Sequence, residues 1–196
     1  MKTKIYILLA FLAFQVNYAQ TDDFICATPD DNTPDPAGVF SRSIDPNDLA
    51  DYEPVVFNVF FWGINEDDGT STKLLTETMA LKVIADLNMK FNDANIFFKY
   101  YGYDHINSSR FYNIYRFSND PNDDGLPSTL SAFSTFLSQN PEYVNDDAIN
   151  YHIPRNTVGF AGAAYYSQLR TVINAWAIEN SPRVINHEMG HAIGLS

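Results

Sequence analysis

The chain has 196 residues, of which 24 are Asp or Glu and 12 are Lys or Arg, so its formal net charge is −12. An acidic surface of this kind repels phosphate, which argues against a nucleic acid as partner. Hydrophobic residues make up 45% of the chain, enough for a packed core, and the single cysteine excludes an internal disulfide.

The N-terminal segment has the layout of a secretory signal peptide. Lys2 and Lys4 form a basic region, an uninterrupted apolar run covers residues 5–14, and the stretch that follows ends on the small residue Ala19. The run is shorter than the roughly 20 residues that cross a bilayer, so a membrane anchor is the weaker interpretation. We therefore expect residues 1–19 to be removed and the mature protein, which carries a net charge of about −14, to be secreted without membrane association.

The next segment, residues 20–53, is rich in Asp, Pro, Asn and Thr and has neither helical nor strand periodicity, which predicts an extended arm or pro-segment. Residues 54–196 are then expected to form one domain. Acidic clusters at residues 66–68 and 120–124 indicate solvated loops. Either cluster could hold Ca²⁺, which takes carboxylate and carbonyl oxygens, although no EF-hand spacing supports such a site.

The domain begins with a predicted βαβ unit. Residues 54–64 (PVVFNVFFWGI) form a β-branched and aromatic run between a proline and an acidic turn, which predicts a strand. Residues 70–92 carry apolar side chains at the spacing of an amphipathic helix with a broad buried face, and residues 95–103 (NIFFKYYGY) predict a second strand. A helix between two strands at this length implies that the strands are parallel.

The second half of the domain contains shorter elements. We predict a short strand at 111–117, a helix at 126–139, and strands at 147–153, 159–166 and 171–178. The fold class is therefore α/β, with a twisted mixed five-stranded sheet, backing helices and one more helix that carries the site.

That last helix has clear signals at both ends. Ser181 is a good N-cap, and Pro182 follows at the first helical position. The helix should run to about Ile193, because Gly194 suits the C′ position. The side expected to pack on the sheet consists of Ile185, Met189 and Ala192.

The strongest chemical signal is HEMGH, residues 187–191, within this helix. At 3.6 residues per turn His187 and His191 lie on one face, one turn apart, so both can bind one zinc ion at 2.0–2.1 Å. Glu188 lies at the flank of that face, where a general base can take a proton from a metal-activated water. The spacing therefore predicts a zinc-dependent hydrolase.

HEMGHAIGLS matches the first part of the metzincin consensus H-E-x-x-H-x-x-G-x-x-H, with Gly194 at the glycine that turns the chain after the helix. More of the chain resembles the pappalysin-like metzincins, the cytophagalysin and ulilysin relatives. PVVFNVFFW resembles their first strand, DAINYHI their NINIY strand, GFAGAAYY their GxAGxAY segment, and VINAWAI the strand that follows. The resemblance covers residues 54–196 and implies the upper, N-terminal subdomain of a zinc endopeptidase.

The resemblance also implies how a substrate is held. In metzincins an antiparallel edge strand lines the cleft and pairs with an extended peptide or protein substrate, and by position that strand is 159–166. The substrate-binding residues would be Gly159, Phe160, Ala161, Gly162 and Ala163. Close packing within the sheet explains the same small residues equally well.

The chain departs from the family pattern in two ways. The third zinc ligand of the consensus would be residue 197, and the downstream methionine turn and lower subdomain are also missing. His105 or His152 could supply a ligand instead, and a distant Glu as in thermolysin-like enzymes is a further alternative that Gly194 disfavours. We interpret the sequence as part of a longer enzyme. The sequence as written is expected to hydrolyse peptides slowly or not at all. If the chain truly ends at Ser196, a non-catalytic secreted peptide-binding or vestigial peptidase module is the alternative.

Cys26 lies in the arm, ahead of the predicted domain. A thiolate is a strong zinc ligand, so Cys26 could occupy the open zinc position and keep a zymogen inactive until the arm is cut. Pappalysin-like precursors resemble the chain in carrying a cysteine before the catalytic domain. The alternative is an incidental free thiol.

Overall fold

The computed structural model describes residues 53–116, 128–165 and 169–195. The predicted signal peptide, Cys26 and the acidic cluster at 120–124 lie outside these described residues. Within them, no helix has the length and apolar character that a bilayer crossing requires.

The described chain begins with the βαβ unit that the sequence predicts. Strand β1, Val55–Asn65, and strand β2, Ile96–Asn107, run parallel to each other. Helix α1, Glu77–Phe91, connects them. The parallel arrangement inferred from the strand–helix–strand spacing is therefore confirmed.

Helix α1 begins later than residue 70, where the periodicity placed its start. The cap is Thr76, whose side chain accepts a hydrogen bond from the Met79 amide. The residues before it are held in a loop: the Thr70 amide donates to the Asp68 carboxylate and the Thr72 amide to the Tyr112 hydroxyl. These side-chain acceptors compete with helical hydrogen bonding, which explains the difference.

The buried face of α1 is narrower than the apolar pattern predicts. Its buried residues are Ala80, Val83, Ile84 and Leu87. Leu81 is 47% exposed, and Leu74, in the loop before the helix, is 48% exposed.

The main sheet has five strands. Besides β1 and β2 it contains β4, Ile149–Ile153, β6, Gly162–Tyr165, and β7, Arg170–Ile173. The order of the strands in the sheet is β2-β1-β4-β7-β6. Strands β1, β4 and β7 are parallel neighbours, whereas β6 is antiparallel to β7 and lies at the edge. The predicted α/β class with a mixed five-stranded sheet is therefore confirmed.

The strand predicted at 171–178 is wrong in its second half. β7 ends at Ile173, and a short helix, α3, Ala175–Asn180, follows. The side chain of Asn174 accepts a hydrogen bond from the Trp176 amide at 2.8 Å, which starts a helical turn. The apolar run by itself suits either structure, and this cap decides between them.

The segment predicted as a strand at 111–117 contains only three strand residues. Strand β3, Asn113–Tyr115, follows a 3₁₀ turn at Ser109–Phe111. β3 pairs in parallel with β5, Asn156–Val158, in a second, two-stranded sheet. β5 was not predicted, because three residues are too few to establish a strand periodicity.

Two hydrophobic clusters lie on the two faces of the main sheet, and β1 contributes to both. Val59 and Phe61 point into the first cluster, whereas Trp62 and Ile64 point into the second, as the alternation of a strand requires. Helix α1 and the last helix cover the first cluster. Helix α2, Leu130–Gln139, covers the second.

Candidate metal centre

The last helix, α4, Pro182–Ala192, begins and ends close to its predicted positions. Ser181 occupies the N-cap position as predicted, and its side chain makes no capping hydrogen bond. At the other end Gly194 has φ +84°, its amide donates to the His191 carbonyl, and the Leu195 amide donates to the Gly190 carbonyl. These bonds form a Schellman motif, with the glycine in the left-handed conformation that the motif favours.

The inward side of α4 is the one that the sequence predicts. Ile185, Met189 and Ala192 are each 0% exposed and belong to the first hydrophobic cluster. The helix contacts β6, β7 and α1. Its opposite face, with His187, is directed to solvent.

The imidazole rings of His187 and His191 meet on that outer face. Their Nε2 atoms are 3.1 Å apart, and the ring planes are at 85° to each other. Two nitrogens bound to one tetrahedral zinc at 2.0–2.1 Å stand about 3.3 Å apart. The observed separation therefore suits two ligands of one ion.

The protonation of His191 also favours metal binding. Partial burial lowers the pKa of His191, and the neighbouring His187 lowers it further. A hydrogen bond with the Leu195 backbone acts in the opposite direction, but the pKa remains lowered. A lowered pKa keeps the imidazole neutral over a wider pH range, and the neutral ring is the form that binds a metal.

Glu188 is more deeply placed than a position at the flank of the helix suggests. It is 1% exposed, and its side chain packs against Gly162 of β6. The carboxylate therefore lies between the helix and the edge strand, next in sequence to the first histidine. A buried carboxylate in this place has a restricted set of orientations, which suits a group that must act on one proton.

Tyr151 of β4 contacts α4 from the sheet side, one turn before Glu188, a role that the sequence did not reveal. Its hydroxyl donates a hydrogen bond to the Ile185 carbonyl at 3.1 Å. Complete burial raises the pKa of Tyr151 well above 10, and the nearby Glu188 raises it further, so the hydroxyl stays protonated. Strand alternation predicts that this side chain is buried, but not which carbonyl it meets.

Neither of the two other histidines proposed as a third ligand joins the pair. His105 lies on β2, at the sheet edge opposite to β6, and its Nε2 donates to the Leu75 carbonyl. His152 is fully buried in β4, and its Nε2 donates to the Tyr143 carbonyl. In the part of the chain that the structure describes, no three His, Cys, Asp or Glu side chains are grouped so that they could hold a metal. The described residues thus bring together two histidine side chains, whereas a typical catalytic zinc has three protein ligands.

The acidic turn at 66–68, considered above as a Ca²⁺ site, does not form a group of metal ligands among the described residues. The Asp68 carboxylate accepts hydrogen bonds from the hydroxyl and the amide of Thr70. Both bonds lower the pKa of Asp68, and the hydroxyl bond has the larger effect. The Asp67 carboxylate accepts from the Ser109 amide at 2.8 Å. Both side chains are engaged in fixing turns.

The strand predicted at 159–166 as the substrate strand begins later in the structure, because β6 covers Gly162–Tyr165 and residues 159–161 precede it. β6 is the antiparallel edge strand of the main sheet. The five residues predicted to bind substrate differ in their exposure: Gly159 is exposed, Ala161 is half-buried, and Phe160, Gly162 and Ala163 are buried. Phe160 and Ala163 belong to the second hydrophobic cluster. Close packing thus accounts for part of the small-residue pattern, and a contact with a peptide would use the backbone.

No family model matches the sequence, and neither does any curated protein. A crystal structure of metalloproteinase-II from Bacteroides fragilis is similar to the chain with a TM-score of 0.43 and 17% sequence identity. The similarity covers 73% of this chain and 44% of that one, so the chain spans less than half the length of that protein. The functional conclusion therefore depends on the geometry of His187, Glu188 and His191.

Proposed function

We propose that the chain is the upper subdomain of a secreted zinc-dependent endopeptidase of the pappalysin-like metzincin type. The observation that carries this proposal is the 3.1 Å separation of the His187 and His191 Nε2 atoms on the outer face of α4. Glu188, the residue after His187, is held against Gly162 of β6. The order of the strand segments before HEMGH supports the same assignment.

Each residue of the motif has a distinct task in this proposal. His187 and His191 hold the zinc through their Nε2 atoms. A zinc ion held there would act as a Lewis acid, lowering the pKa of a water molecule and polarising the peptide carbonyl. Glu188 would take a proton from the attacking water as a general base and return it to the leaving amine as a general acid.

The edge strand β6 is the proposed place for the substrate. Its outer edge can add an extended peptide as a further antiparallel strand, which provides main-chain hydrogen bonds without requiring a particular side chain. Gly159 and Ala161 lie just before β6 and are exposed and half-buried, so the chain that leads into the strand is open to such an approach. Cys26 remains a proposed inhibitory ligand in the arm.

Zinc binding is the first test, because it does not require a complete cleft. Purified protein is titrated with Zn²⁺ against a chromophoric chelator, and the variants H187A, H191A and E188A are compared with it. We expect weak binding by the wild type, since two protein ligands are one fewer than usual. Both histidine variants should lose it, whereas E188A should retain it. The variant H105Q is the matched control and should bind as the wild type does.

Hydrolysis of an unstructured peptide is the second test. Any turnover should be abolished by a chelator, restored by Zn²⁺, and absent from E188A. Zinc binding by H187A and H191A equal to that of the wild type would contradict the metal site. Turnover by E188A at the wild-type rate would contradict the role of Glu188 as general base. Zinc binding together with peptide binding but no turnover would favour a non-catalytic peptide-binding module.

A further inference from the structure

Gly162 in β6 lies directly against the side chain of Glu188. A Cβ atom built on Gly162 would be 2.6 Å from Glu188 Cγ and 3.0 Å from both Cδ and Oε1. Real Cβ atoms essentially never come within 3.0 Å of another heavy atom in this way. Any side chain at position 162 would therefore displace the carboxylate of Glu188 or separate the helix from the strand.

The need for glycine here is steric and does not arise from the backbone conformation. Glycines with positive φ occur at Gly69, Gly102, Gly159 and Gly194, and Gly162 is not among them. Gly162 instead pairs regularly with Ile173 across the antiparallel ladder. An alanine could adopt this backbone, so the space that Glu188 occupies is what excludes it.

Glu188 has little freedom to move away from the strand. Glu188 is 1% exposed. The helix around it is anchored by Ile185 and Met189, which are each 0% exposed. The Tyr151 hydroxyl of β4 also donates to the Ile185 carbonyl. Interiors of this density accommodate an added methyl only by shifting side chains or backbone.

We propose that Gly162 is a positioning residue whose missing side chain forms the recess that holds the Glu188 carboxylate beside the histidine pair. Its importance for catalysis rests on the proposed function, whereas the steric dependence on Glu188 does not. The inference differs from the expectation that Gly162 is small to admit a peptide, because the contact is with the chain's own glutamate.

A double-mutant cycle on thermal stability tests the recess without any substrate. G162A should lower Tm by about 5 °C, as overpacking of a dense site does. The same substitution in an E188A background should change Tm by less than about 1 °C, because the atoms that it would strike are gone. G190A is the matched control: a Cβ there would be 3.8 Å from Leu195 Cβ, an ordinary contact, so Tm should be unchanged or higher.

Two further readouts separate positioning from general loss of structure. The rise in Tm on adding Zn²⁺ should be the same in G162A and the wild type, since neither histidine is touched. Where turnover is measurable, G162A should lose about 100-fold in kcat at unchanged KM, the effect of a misplaced catalytic group.

Equal losses of Tm in the two backgrounds, or failure of both G162A proteins to fold when E188A folds, would overturn the inference. Folding of G162A/E188A when G162A alone does not fold would support it. A wild-type chain that binds no Zn²⁺ would contradict the proposed function, and the Tm cycle would still decide the role of Gly162.

Discussion

The hydroxyl of Tyr151 and the carbonyl of Ile185 are joined by a hydrogen bond of 3.1 Å, fully buried between the sheet and the helix that carries the histidine pair. Tyr151 lies on β4, the middle strand of five, so the site is attached to the most enclosed part of the sheet. A helix anchored in this way can hold the two histidine side chains in one geometry.

Replacing Tyr151 by phenylalanine should lower the free energy of unfolding by about 1 kcal/mol, the net value of one buried hydrogen bond. The ring still fills its place, so little packing energy is lost. Urea denaturation gives the measurement, with Y101F as the control, since Tyr101 is 44% exposed. Equal stability of Y151F and the wild type would mean that packing alone holds the helix.

The buried His152 should make the protein less stable in weak acid. Burial lowers its pKa from 6.5 to about 4, so below pH 6.5 the unfolded chain takes up a proton that the folded chain refuses. The contribution of neutral His152 to the free energy of unfolding is fully present above pH 6.5, the pKa of histidine in the unfolded chain. It falls as the pH drops from 6.5 towards 4 and changes little below pH 4. The loss amounts to about 3 kcal/mol.

The variant H152Q isolates this contribution, because glutamine does not titrate and can still donate to the Tyr143 carbonyl. Denaturation curves at several pH values between 4 and 7 should give a shallower pH dependence for H152Q than for the wild type. Parallel curves would show that His152 is not the titrating group.

Zinc should stabilise the folded chain if His187 and His191 bind it together. A ligand that binds only the folded state adds about 2.7 kcal/mol at 100 times its dissociation constant, which raises Tm. Differential scanning calorimetry with and without Zn²⁺ measures this rise, and a chelator should reverse it. The same titration of H187A should leave Tm unchanged, and a rise in that variant would place the metal elsewhere.

Helix α3 should depend on its capping residue. Asn174 accepts from the Trp176 amide, and its amide donates to Asn156 Oδ1 at 2.9 Å. N174A should therefore cost about 1–2 kcal/mol of stability. N174D keeps the cap acceptor and loses the donor, so it should recover part of the loss. If N174A and N174D are equally destabilised, the bond to Asn156 matters and the cap does not.

Two leucines on α1 offer a matched test of which helix face is buried. Leu87 is 0% exposed and Leu81 is 47% exposed. L87A should lose about 2–5 kcal/mol through lost burial and a cavity. L81A should change stability by less than about 0.5 kcal/mol. Chemical denaturation of both variants checks the assignment, and similar losses would contradict it.

Local patterns in the sequence were sufficient for the regular elements and for the ligand spacing. Apolar runs and helical periodicity located all five strands of the main sheet and the helices α1, α2 and α4. The four-residue spacing of His187 and His191 placed both rings on one face, and Gly194 marked the Schellman ending. These features depend on residues that are near one another in the chain, so the helix and strand repeats reveal them.

Other features depended on contacts between distant segments, which no periodicity encodes. The apolar residues after Ile173 became helical through the cap at Asn174, which also bonds to Asn156. The burial of Glu188 against Gly162, and the support of α4 by Tyr151, arise only when β4 and β6 are packed beneath the helix. The sequence by itself thus determined which side chains could bind a metal, and the tertiary structure decided how the glutamate beside them is held, because that depends on the space that a neighbouring strand leaves.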